Sequence, residues 1–222
     1  MGKLIVIEGV DASGKATQTA LLYEYLKEKN DKVIKVEFPD YESESSSLCK
    51  MYLEGKFGEN ADDVSPYIAS TFFAADRYAS YKTKWEKCYK DGFTIIADRY
   101  VTANMIHQAS KFENKEDKEK FIDWLSDFEY GLYGLPKPSV KIFLDVPPKI
   151  SAALMKERLN KFSGEAEKDI HERDKDYLEK TYENARFVAE NYGFKIVLCV
   201  KDGKLRSIED IQEEIRQIAD GI

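Results

Sequence analysis

The sequence predicts an α/β fold: a five-stranded parallel sheet with helices on both faces. Short apolar segments recur at Leu4–Ile7, Val33–Phe38, Thr94–Ala97, Val140–Leu144 and Phe194–Val200. Helical stretches separate them, an alternation that implies parallel strands joined by crossover helices. The first segment runs straight into Gly9-x-x-x-x-Gly14-Lys15, and a helical pattern follows. At 222 residues and 43% hydrophobic content, the chain is long enough to bury the core of one such domain, so residues 1–222 read as a single domain.

Leu4–Ile7 is an unbroken apolar run, as a strand buried on both faces requires. In the loop after it, glycines let backbone N–H groups turn inward as an anion nest. The N-terminus of the following helix adds partial positive charge, and Lys15 adds a full one. Gly9, Ala12, Ser13, Gly14, Lys15, Ala16 and Thr17 are therefore the candidate contacts for ATP phosphates. Leu21, Leu22, Tyr25 and Leu26 then recur at helical spacing. The usual loop places Ser or Thr after its lysine to bind Mg²⁺. Here Ala16 takes that place, and Thr17 lies about 100° further round the helix.

The second strand ends in Phe38-Pro39-Asp40, and Ser43–Ser47 reads as the cap of a helix carrying Leu48, Met51 and Tyr52. A longer helix begins near Ser65-Pro66 and carries Phe73 and Arg77, four apart on one face. Spacing by itself favours a core role for that phenylalanine. Asp98-Arg99-Tyr100 follows the third strand and Asp145 the fourth. Ligands of parallel sheets sit beyond the carboxyl ends of the strands, so chemistry is expected at these points. Arg99 suits a monophosphate, which its fork can bind bidentately. Asp98 is the candidate Mg²⁺ ligand. The competing reading of the two is a structural ion pair.

Lys111–Asp123 reads as a solvated helix face. Lys156–Asp176 is dense in both signs, contains Gly164, and interrupts two helices, Ile150–Leu159 and about Asp169–Tyr192. A polar segment near a phosphate site reads as a closing lid, with Arg158, Lys161, Lys168 and Arg173 as its cations; the alternative is an ordinary surface loop. Ile208, Ile211, Ile215 and Ile218 mark a closing amphipathic helix.

A net charge of −7 argues against a general nucleic-acid binder. No apolar run approaches membrane-spanning length. The chain enters its first strand within a few residues, so no signal peptide is expected. Cys49, Cys88 and Cys199 are scattered and show neither metal spacing nor a disulfide framework, which fits the cytoplasm.

Several stretches together resemble the thymidylate kinase family of P-loop nucleotide kinases. They are Ile7 through Lys15 with Thr17-Gln18, Phe38-Pro39, Phe73 through Arg77, Asp98-Arg99-Tyr100 with Gln108, Leu144 through Pro148, and Asp169 through Glu172. They run in the family's order over nearly the whole chain. The resemblance implies a three-layer fold with a lid, a homodimer, a requirement for Mg²⁺, and phosphorylation of dTMP to dTDP by ATP. It implies that Lys15 holds the ATP phosphates, with Arg158 of the lid on the ATP side. Asp11 would bond the acceptor's 3′-hydroxyl, and Arg99 would hold its phosphate near the point of transfer. Phe73 would stack on thymine, Arg77 would reach a base carbonyl, and Gln108 would meet the base edge. Phe38, Pro39, Tyr100 and Asn104 complete the implied acceptor site.

The chain departs from the family pattern at several points. Ala16 lacks the hydroxyl. Asp40 and Tyr41 follow Phe38-Pro39 where many members carry a phosphate-gripping arginine, so that contact is missing or supplied elsewhere, for instance by Lys50. Ala12 stands where some members place a catalytic arginine, so Lys161 or Lys168 would complete the charge clamp. Ala103, Asn104 and Ile106-His107 replace the usual residues before Gln108, and His107 reads as structural. These departures keep two alternatives open. One is a deoxynucleoside kinase, with Glu8 or Asp98 as base, or a kinase for another monophosphate. The other is a nucleotide-binding sensor without turnover.

Overall fold

The computed structural model describes residues 1–161 and 175–222, with side chains as far as Met155 and from Leu178 onward. In chain order the main elements are β1 (Lys3–Gly9), α1 (Lys15–Lys29), β2 (Val33–Glu37), α2 (Ser47–Leu53), α3 (Pro66–Ser80) and α4 (Glu86–Lys90). Then come β3 (Thr94–Asp98), α5 (Val101–His107), α6 (Lys115–Ser126), β4 (Val140–Asp145), α7 (Pro148–Lys161), α8 (Lys175–Asn191) and β5 (Lys195–Leu198). A two-stranded hairpin, β6 (Val200–Lys201) and β7 (Lys204–Leu205), precedes α9 (Ile208–Asp220).

Strands β1 to β5 form one parallel sheet in the order β2-β3-β1-β4-β5. The register pairs Ile7 with Asp98, Glu37 with Asp98, and Gly9 with Leu144. The carboxyl ends of the central strands therefore share one edge, and the loops after β1, β2 and β3 meet there.

The period of two along β1 sorts its side chains between two cores. Ile5 and Ile7 pack with Leu22 of α1 and with Ile211 and Ile215 of α9. Leu4 and Val6 pack on the other face with Val101 and Ile106 of α5, Phe121 and Ile122 of α6, and Ala185 and Val188 of α8. The result is the expected three layers. A third, smaller cluster around Tyr52, Val64 and Ala69 joins α2 to α3.

Several local expectations change. The last strand ends at Leu198 rather than Val200: β4 itself ends at Asp145, whose carbonyl accepts the last cross-strand bond from the Cys199 N–H, and the chain then turns through the hairpin. Asp202 and Gly203 both have positive φ there, the geometry that an Asp-Gly turn supplies. Ile208 is half-exposed instead of joining the buried stripe of α9, which runs through Ile211, Ile215 and Ala219. Lys111 does not lie on a solvated face. Its ammonium donates to the Tyr52 hydroxyl and the Val64 carbonyl, both at 3.1 Å, and to the Ala61 carbonyl. Burial pulls its pKa down to about 8. Asp145, expected near the chemistry, is buried and accepts the Tyr182 hydroxyl at 2.8 Å while pairing with Arg186. It ties β4 to α8.

Candidate active site

The loop from β1 to α1 is shaped by its glycines. A Cβ at Gly9 would lie 2.5 Å from Ser13 Oγ and 3.1 Å from the Leu144 carbonyl, so no side chain fits. Gly14 has φ 87°, the left-handed region that glycine enters without strain. Lys15 opens α1, is almost fully buried, and donates to the Val10 carbonyl at 2.8 Å. Burial, reinforced by the nearby Arg99 charge, pulls its pKa down to about 8. Asp11, Asp98 and Glu8 pull the other way.

Arg99 follows β3 with φ 64°. Its guanidinium pairs with Asp11 and donates from Nη1 to His107 Nε2 at 2.7 Å. Burial opposes the charge, and Asp11 and Glu8 outweigh it, so Arg99 is held firmly protonated. The ion pair is thus made with Asp11 rather than with the adjacent Asp98.

Two cavities open at this edge of the sheet. One is lined by the phosphate loop from Asp11 to Thr17, with Glu37, Phe38 and Asp98. It continues past Leu154 to Leu205, Arg206, Ile208 and Ile211. The other is lined by Leu53, Phe73, Ala103, Asn104, His107 and Gln108. The two share Asp11, Pro39, Tyr41 and Arg99. Arg99 therefore stands at the junction of a phosphate-loop cavity and an aromatic, amide-lined one.

The structure brings together most of the site residues that the sequence singled out. Ala12, Ser13, Gly14, Lys15, Ala16, Thr17, Phe38 and Asp98 line the first cavity, and Phe73, Asn104 and Gln108 line the second. Gly9 shapes the loop from beneath. Two residues expected at the acceptor, Arg77 and Tyr100, line neither cavity. Arg77 is buried and lines neither cavity; Nε and Nη2 donate to Glu129 at 2.7 and 2.6 Å, and Nη1 donates to the Tyr100 carbonyl at 3.3 Å. Tyr100 is fully buried among Phe38, Trp85 and Tyr130, and its hydroxyl donates to the Pro136 carbonyl. Lys50 is half-buried on α2 and lines neither cavity, so it does not replace the missing arginine. The lid cations Arg158, Lys161, Lys168 and Arg173 lie outside the described side chains.

Other cavity residues escaped the sequence reading. His107, taken as structural, faces Arg99. Tyr41 lines both cavities where an arginine was expected. The far wall of the first cavity comes from β7 and the start of α9, and the Asp-Gly dipeptide at 202–203 was the available signal for that hairpin.

The family model for thymidylate kinase matches residues 7–215. The chain belongs to the thymidylate kinase family. The thymidylate kinase of Mycobacterium tuberculosis is 30% identical over 179 residues, covering 80% of this chain and 81% of that protein. The thymidylate kinase of Caldicellulosiruptor saccharolyticus is 27% identical over 221 residues, covering 100% of this chain and 97% of that one. Among solved structures, thymidylate kinase from Ehrlichia chaffeensis superposes with a TM-score of 0.69 at 17% identity, covering 98% of each chain. That likeness supports the P-loop kinase fold of a thymidylate kinase for the sheet and helices described above.

Proposed function

We propose that the chain transfers the γ-phosphoryl group of ATP to dTMP, giving dTDP, and that Arg99 meets the acceptor phosphate where the two cavities join. The observation that carries this reading is the junction itself. A phosphate-loop cavity with Lys15 and a second cavity with Phe73, Asn104 and Gln108 share Arg99 and Asp11. The acceptor phosphate is already an anion at neutral pH, so the transfer needs little proton removal. Positioning and charge neutralisation supply most of the catalysis. Lys15 and the loop amides would hold the donor, Phe73 would stack on the acceptor base, and the two amides would read its edge. The wall of Leu205, Arg206 and Ile208 would receive the donor's base. Arg158, Lys161 and Lys168 are proposed to add positive charge from the lid, a role that rests on sequence alone.

Mg²⁺ in kinase sites is held by one or two carboxylates plus substrate phosphates and water. Among the described residues no cluster of three acidic, histidine or cysteine side chains stands ready for a metal. Asp98 does line the phosphate-loop cavity beside Lys15. This donor set fits an ion brought in with ATP, with Asp98 as its protein ligand and Ala16 giving none. Bound there, the ion would neutralise charge on the phosphate oxygens.

Among the described residues no helix is long and apolar enough to cross a membrane. The three free thiols support a cytoplasmic setting. We also propose a homodimer, supported by exposed apolar side chains on α2 and α3.

The test is a coupled ADP-release assay with ATP, Mg²⁺ and a panel of dTMP, dUMP, dCMP, dGMP, UMP, CMP, AMP and thymidine. Fastest turnover with dTMP is expected. Preference for thymidine or another monophosphate would overturn the acceptor assignment. Nucleotide binding without turnover would make the protein a sensor.

A further inference from the structure

Glu8 shares a face of β1 with Leu4 and Val6, under the apolar side chains of α5, α6 and α8. It is 0% exposed. Packing alone gives no reason for a carboxylate there. Its bonds do. Oε1 accepts the Tyr100 N–H at 3.0 Å and the Thr102 hydroxyl at 2.6 Å, while Oε2 is buried with no hydrogen-bond partner among the described residues.

Both donors lie just past Arg99. On the near side, the Arg99 N–H donates to the Ile7 carbonyl at 3.1 Å. Consecutive residues of β1 therefore grip the turn on either side of the Arg99 Cα. Between these anchors Arg99 has φ 64°, a left-handed conformation that non-glycine residues rarely adopt and that persists only where the surroundings impose it. In that conformation the guanidinium reaches Asp11 and His107 at the junction of the cavities.

We infer that Glu8 is a positioning residue: by accepting the Tyr100 N–H and the Thr102 hydroxyl, it holds Arg99 in the left-handed conformation that aims its guanidinium at the acceptor phosphate. This rests on the reading of Arg99 given above. Burial raises the Glu8 pKa to about 7, against the pull of Arg99. The role does not depend on its ionisation, because a carbonyl-like Oε1 accepts both bonds in either state.

A double-mutant cycle tests the inference, with dTMP and ATP affinities measured by calorimetry. Glu8→Ala should weaken dTMP by at least about tenfold and ATP by no more than about threefold, whereas Glu8→Gln, which keeps the acceptor oxygen, should stay within about threefold for both. In an Arg99→Ala background, Glu8→Ala should change dTMP affinity by less than about twofold. Should Glu8→Ala fail to fold, Glu8→Asp takes its place, since its shorter arm withdraws the oxygen from both donors. Equal losses with Arg99 present and absent, or a Glu8→Gln variant as weak as Glu8→Ala, would overturn the inference. Unchanged dTMP affinity in Arg99→Ala alone would instead overturn the role of Arg99.

Discussion

Lys15 shows how burial prepares a single charge for its ligand. Its pKa of about 8 lies below the ordinary lysine value, so the ligand-free protein releases that proton as the pH rises through 8. In the proposed role of Lys15 phosphates demand the protonated form, so ATP would restore the proton on binding. ATP affinity should therefore be nearly flat below about pH 7 and fall by about tenfold per unit above about pH 8. Calorimetry at about pH 7 and pH 9 in buffers of different ionisation enthalpy checks both the loss and the proton uptake; equal affinities with no uptake would sink the account. Arg99 is the second charge that burial opposes. Its removal should lower kcat/KM for dTMP by roughly 10²–10³-fold, the usual loss when a preorganised charge contact is deleted. Steady-state rates check it, and a change under about threefold would contradict it. Both residues were legible in the sequence, because Gly-x4-Gly-Lys and a basic residue after a strand are local signals. Their partners were not. The pairing of Arg99 with Asp11 spans 88 residues, and its contact with His107 depends on how α5 leaves the strand.

Elements decide whether a side chain serves the site or the core, and α3 makes the point. Phe73 and Arg77 are four apart on one helix, yet Phe73 faces the second cavity and Arg77 is committed to Glu129. The partner comes from Asp127–Leu132, a π-helical turn after α6 whose wider spacing turns Glu129 fully inward. Burial works against the Arg77 charge, and the carboxylate more than offsets it, so its pKa rises above the arginine norm. Helical periodicity in the sequence shows that such a face exists, but a π turn has no local signature, so an acid 52 residues away stays hidden. The hairpin before α9 is a similar case: its Asp-Gly turn was legible, while its place in the cavity wall follows from the sheet. Removing one member of a buried pair leaves the other uncompensated. Glu129→Ala should lose about 3–5 kcal/mol of stability in urea unfolding, and Arg77→Met with Glu129→Leu should recover most of it. A single variant within about 1 kcal/mol of the parent would show that the pair does not hold α3 in place.

At the scale of the whole molecule, the five apolar segments and the loop were enough to give the sheet, because each strand carries its own burial pattern. Surfaces carry no such pattern. Leu48 and Met51 on α2 are 44% and 40% exposed, and Ile68 and Tyr78 on α3 are 54% and 40% exposed. Ile68 and Ala75, both exposed, recur on one side of α3, while Phe73 turns toward the second cavity. Clustered apolar exposure of this kind marks an interaction surface more often than a free one. A two-fold dimer would set this face against its own copy, so a charge placed on it would be buried twice, once in each half of the interface. Ile68→Lys should therefore convert a dimer to monomers in sedimentation at micromolar concentration without changing the circular dichroism spectrum. Because α3 also carries Phe73, the same variant should weaken dTMP more than ATP. A parent protein that sediments as a monomer would overturn the homodimer. A variant that stays dimeric would move the interface off this face.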